Sequence, residues 1–204
     1  GDPAPLRKQG LGFYLDQPIG KGFLELRDTE WKPIAEAYEQ TRDASQLARP
    51  ACLRDEELLT QLGARAATNV ARLAGDGLRF VALADEASST RHNNPLDVCR
   101  CGRCLDAFRA FAKARYATIE AINEAWGTQF ASFDAVEPLT TDQVRRRELG
   151  GVLLPSNLTP FSDWLTFVDE GFAAAVQRLR AQAADSAKGA PVGLTGVQAP
   201  LAFG

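Results

Sequence analysis

The run Leu78-Arg79-Phe80-Val81-Ala82-Leu83-Ala84 narrows most what this chain can fold into. It has the length of a strand, is almost continuously apolar, and stops on the acidic pair Asp85-Glu86. A strand with one wet face alternates apolar and polar residues. One that does not alternate must be covered on both faces, as in a parallel sheet between helices. The flanking sequence supplies such covers. From Arg54 to Ala74 the residues Leu58, Leu59, Leu62, Ala66, Val70 and Leu73 recur at helical spacing, and Gly75-Asp76-Gly77 stops them. A second helix is predicted over Cys104 to Ala125, with Leu105, Phe108, Phe111, Ala112, Tyr116, Ile119 and Ile122 as its stripe. A third runs from Phe161 to about Ala184 on Leu165, Val168, Phe172, Ala175, Val176 and Leu179.

Two shorter runs, Gly12 to Asp16 and Pro191 to Val197, read as further strands. Lys21 to Pro50 has no clean period and is expected to be an irregular excursion with one helical turn near Ile34 to Tyr38. Thr128 to Asn157 reads as loop, interrupted by a charged helical piece from Asp142 to Leu149. Residues 1–10 read as a linker and residues 11–204 as one globular unit. Strands alternating with helices predict an α/β protein with a parallel sheet. The pattern alone does not separate an open doubly wound sheet from part of a closed barrel. A whole (β/α)8 barrel needs about 250 residues, so a chain of 204 holds about half of one. The absence of methionine agrees with a chain processed or cut from something longer.

Composition excludes several functions. Twenty-three Lys and Arg against 26 Asp and Glu give a net charge of −3, the wrong balance for a phosphate-binding surface. No run approaches the roughly 18 to 20 apolar residues that span a bilayer, and no signal peptide opens the chain. Neither nucleic acid nor membrane is therefore an expected partner, and a cytoplasmic setting is preferred.

Cys99-Arg100-Cys101-Gly102-Arg103-Cys104 packs three thiols into six residues, and Cys52 is the fourth. Four thiolates suit a tetrahedral zinc ion, and Gly102 lets the loop fold back around it. Two disulfides or buried reduced thiols are the alternatives, although a bridge between neighbours such as Cys99 and Cys101 has poor geometry. With four protein ligands the metal would be structural, pinning the loop after Glu86 to the segment holding Cys52. His92, the single histidine, is a conceivable substitute ligand.

The carboxyl end of a parallel strand is where ligands meet chemistry in α/β folds, which makes Asp85-Glu86 a candidate catalytic pair. A capping role for these acids is the plainer alternative. Asp16 and Gln17, after the first strand, are candidates for the same cleft. Trp31, Trp126 and Phe130 are candidate sugar-stacking aromatics, each competing with a place in the core.

At this point the chain resembles a known family. A lone cysteine before a helix (Cys52), a strand ending in a glutamate (Glu86) and a C-x-C-x-x-C cluster (Cys99, Cys101, Cys104) come first. They are followed by Phe108-Arg109 and by Tyr116 to Phe130, with its Asn123-Glu124-Ala125-Trp126-Gly127-Thr128 block. In this order they resemble the zinc-containing β-galactosidases of glycoside hydrolase family 42, over roughly Gly12 to Pro138. The resemblance implies part of a TIM barrel, about its third to fifth strands, with a structural Zn2+ on the four cysteines. Glu86 would be the acid/base of a retaining mechanism. The nucleophile, a second carboxylate about 5 Å away, would lie beyond Gly204, so this chain alone would be inactive.

The chain departs from the family in having Asp85 where an asparagine contacts the sugar 2-hydroxyl, and Ala131 where a tryptophan is expected. Asp85, Asp16 and Trp126 are the expected substrate contacts, the partner is a carbohydrate, and a homo-oligomeric parent is compatible. Two other readings stand beside this one. The first is a non-catalytic carbohydrate-binding barrel. The second is a zinc-stabilised module in which Arg100, Arg103, Arg109 and Arg115 touch nucleic acid or a protein.

Overall fold

The computed structural model describes residues 2–90, 98–144 and 157–196. In chain order its regular elements begin with α1 (Ala4–Lys8), β1 (Phe13–Asp16), α2 (Asp28–Thr41), α3 (Glu56–Leu73) and β2 (Leu78–Ala82). They continue with α4 (Gly102–Tyr116), α5 (Ile119–Trp126), α6 (Thr141–Val144), α7 (Thr159–Ala184) and β3 (Val192–Gly193). The three strands form one parallel sheet in the order β1-β2-β3, with Asp16 level with Ala82 and Ala82 level with Gly193. The chain is thus α/β with a parallel sheet, and β2 is the middle strand.

Val81, Ala82 and Leu83 are completely buried, which is what a run without alternation requires. Leu59, Leu62, Ala66 and Val70 of α3 and Phe172, Ala175 and Leu179 of α7 pack into one core with the sheet. Gly63 lets the two helices approach: a Cβ there would overlap the side chain of Gln182. Asp55 starts α3 by accepting from Leu58 N at 3.1 Å.

Several boundaries differ from the sequence expectation. The presumed linker contains α1, which Arg7 ties to the Leu73 and Asp76 carbonyls at 2.7 and 2.8 Å. The excursion after β1 contains the 14-residue α2, whose buried Trp31, Ile34 and Tyr38 hold helical spacing across Pro33. The helix predicted over Cys104 to Ala125 is two helices. Ala117 turns the chain at φ 62°, and Thr118 starts α5 by accepting from Ala121 N. Of the piece predicted over Asp142 to Leu149, only the beginning falls in α6; positions 145–156, like His92, lie outside the described residues. Among the described residues no helix is long and apolar enough to cross a membrane.

Candidate active site and metal centre

Parallel strands deliver their carboxyl ends to one edge, where three turns meet. Gln17 N donates to Ala82 O at 2.8 Å, Leu83 N to Gly193 O at 2.8 Å and Ala87 N to Gly196 O at 3.0 Å. Beside them lies an open groove of about 330 Å³ whose wall includes Gln17, Lys21, Glu25, Arg27, Asp85 and Glu86. Both acids of the pair are exposed. Glu86 and Gln17 each adopt a left-handed backbone, at φ 50°, a conformation that costs a non-glycine residue on the order of 1–3 kcal/mol and collects at functional sites. The Asp85 carboxylate is anchored through one oxygen: Oδ1 accepts from Glu86 N at 3.1 Å and from Thr195 Oγ1 at 3.0 Å.

The structure brings Gln17, Asp85 and Glu86 together but leaves out the other expected contacts. Asp16 is exposed in a separate hollow shared with Asp2, Tyr14 and Leu73, because alternation along β1 turns its side chain away from that of Gln17. Trp126 is a core residue, 3% exposed. It packs with Phe108, Tyr116 and Phe130, and its indole N–H donates to Asp163 Oδ2 at 2.9 Å. Trp31 is buried against the cysteine cluster, and Phe130 packs on the aromatic core. Lys21, Arg27 and Thr195 were not singled out in the sequence. The first two sit in the aperiodic excursion, and Thr195 falls in a run whose pattern is that of a strand.

The four cysteines converge. Cys99 and Cys101 precede α4, Cys104 lies in its first turn and Cys52 precedes α3. All four are free, and their sulfurs lie within 4.8 Å of one another. Cys52 Sγ is 3.5 Å from Cys104 Sγ and 3.7 Å from Cys101 Sγ. Sulfurs bound at about 2.3 Å to a tetrahedral zinc lie about 3.8 Å apart, so the cluster has the right dimensions to hold a metal ion.

The charge distribution agrees. Hydrogen bonds from Cys104 and Cys99 hold Cys52 far below the ordinary thiol range, while the bond to Cys52 pushes Cys104 far up. At Cys99 the contact with Cys104 pulls the other way, but the bond to Cys52 and burial push the thiol up to about 12. A divalent ion would let all four ionise. Backbone N–H groups of Arg49 and Arg54 donate to Cys99 and Cys52 sulfurs at 3.3 and 3.4 Å. The guanidiniums of Arg49, Arg54 and Arg103 feel the sulfur charge.

Arg49 also joins the cluster to the groove. It is buried, and it donates to Ser89 O at 3.0 Å, on the loop after Glu86, and to Phe23 O at 2.8 Å, in the excursion. Each of the four arginines expected at a nucleic-acid or protein surface has a partner within the chain, although Arg103 and Arg115 stay half-exposed. Arg100 is buried, bonds Pro138 O and lies over Trp164; Arg103, Arg109 and Arg115 pair with Asp55, Asp106 and Asp163.

The described residues form a three-stranded parallel sheet with helices packed against it and an acidic pair at its carboxyl edge, a fold shared with solved glycoside hydrolase structures. The β-galactosidase of Rahnella sp. R3 matches 93% of this chain with a TM-score of 0.61 at 16% identity. That of Marinomonas ef1 matches 92% with a TM-score of 0.57 at 15% identity. The chain covers 26% and 27% of those two chains. The profile of glycoside hydrolase family 42, described as beta-galactosidase, matches residues 80–195, more than half of the sequence. The chain belongs to that family. The beta-galactosidase BgaA of a Thermus species is 68% identical over 34 residues, 17% of this chain and 5% of the relative. The chain thus spans a small part of the curated relatives it matches.

Proposed function

We propose that this chain is part of a longer retaining β-glycosidase, β-galactosidase-like in substrate, in which Glu86 is the acid/base. The observation carrying this reading is the placement of Glu86: on the loop directly after the middle parallel strand, exposed to the groove, in a chain of family 42. Glu86 would protonate the departing glycosidic oxygen and then take a proton from the water that releases the sugar. The covalent intermediate forms on a second carboxylate supplied by another part of the protein. Asp85 Oδ2, which has no partner among the described residues, accepts a hydroxyl of the bound sugar. In this reading β1, β2 and β3 are the third, fourth and fifth strands of the barrel.

The metal is proposed to be zinc, held by Cys52, Cys99, Cys101 and Cys104. With four protein ligands it supplies structural cross-linking and no open position for substrate. Cross-linking the residues before α3 to those before α4 fixes the loop that leaves Glu86, and Arg49 carries that constraint to Ser89. The engaged arginines and the family match disfavour a nucleic-acid or protein-binding module.

Hydrolysis of a panel of nitrophenyl β-glycosides by the full-length protein and its Glu86→Gln variant tests the assignment. The expected result is a loss of about 100-fold or more, with metal content and fold retained. An unaffected variant would exclude Glu86 as the acid/base, and the panel names the sugar.

A further inference from the structure

The two bonds to Asp85 Oδ1 come from different strand ends. Glu86 N lies on the loop after β2, and Thr195 Oγ1 lies beyond β3. Further bonds complete the junction: Thr195 N donates to Ala84 O at 3.2 Å and Ala87 N to Gly196 O at 3.0 Å. Gly196 fits closely against it, since a Cβ there would lie 3.0 Å from Asp85 Oδ1 and 3.3 Å from Glu86 N. Between these ties sits Glu86 in its left-handed conformation, which nothing in its own side chain favours. An exposed residue keeps such a backbone only where its surroundings over-determine it.

We infer that Asp85 and Thr195 form a clamp that holds the Glu86 backbone at φ 50° and so aims its carboxyl into the groove. This inference rests on the proposed role of Glu86. Asp85 Oδ1 acts inside the protein, leaving Oδ2 for the substrate, and Thr195 is a positioning residue that touches no sugar. The clamp needs an acceptor at position 85, a hydroxyl at position 195 and a residue without a side chain at position 196.

The test uses the full-length protein with the variants Thr195→Val, Thr195→Ser, Asp85→Ala and the Asp85→Ala/Thr195→Val double change. Amide hydrogen exchange at Glu86 and Ala87 reads the clamp without reference to activity, and steady-state kinetics read its consequence. Thr195→Val is expected to speed exchange at both amides and to lower kcat about fivefold with KM unchanged. Thr195→Ser restores both. The double variant is expected to be no worse than Asp85→Ala, because the partners act together. Unchanged exchange in Thr195→Val, or losses that add in the double variant, would overturn the clamp. An inert Glu86→Gln change beside accelerated exchange would sink the glycosidase role of Glu86 and leave the clamp standing.

Discussion

The cysteine cluster and the Glu86 groove are linked through Arg49 and built on opposite plans. At the cluster three of the four sulfur-bearing residues are buried, backbone N–H groups are aimed at the sulfurs, and arginines balance their charge. At the groove the two acids are exposed, two residues hold a left-handed backbone, and one carboxylate oxygen has no partner among the described residues. A closed, satisfied arrangement contributes stability. An open one with backbone strain holds groups ready for a ligand. Arg49 touches both, its backbone N–H donating to Cys99 Sγ and its buried guanidinium to Ser89 O.

If that division holds, substitutions at the cluster and at the groove should separate stability from activity, with two changes in the separate aromatic core of α4, α5 and α7 ranked between them. Cys104→Ser should abolish metal retention, read by elemental analysis, and lower the stability of this part of the protein by about 3 kcal/mol or more in denaturant unfolding. Full metal content in that variant would break the comparison at its closed end. Phe108→Ala, removing a ring packed at 5.2 Å from Trp164 and 5.3 Å from Phe167, should cost about 3–5 kcal/mol in denaturant unfolding.

Trp126→Phe keeps a ring in the core but strips Asp163 of an indole donor, at a cost of about 1–3 kcal/mol. KM for glycosides should not move in this variant. A raised KM at unchanged stability would return Trp126 to the groove. Glu86→Gln should change unfolding free energy by less than about 0.5 kcal/mol, since the residue is exposed. A large destabilisation there would mean that the groove is built like the cluster.

Much of the architecture is legible in the sequence where burial and periodicity coincide. The strand from Leu78 and the helix stripes of α3 and α7 are readable because their apolar positions are the ones buried in the shared core. Of α2 only a turn near Ile34 to Tyr38 is legible, because Pro33 interrupts the composition of a helix whose stripe of Trp31, Ile34 and Tyr38 is intact. The break between α4 and α5 escaped because the stripe continues across Ala117, a residue with no preference for the conformation it takes. Trp126 illustrates the same limit at the site: an aromatic beside a recognisable block looks alike whether it stacks on a ligand or caps a core.

The sequence by itself determined the α/β class, the acidic pair at the end of a buried strand and the presence of four thiols in a metal-like pattern. These depend on local period and residue chemistry, which the chain carries in order. Tertiary structure alone decided which of those groups meet. It turned Asp16 from the groove and Gln17 into it, drew Cys52 to a cluster some fifty positions later, and set Thr195 against Asp85 across 110 residues. Such contacts follow from strand register and helix packing, and register is fixed only when every strand of the sheet is in place.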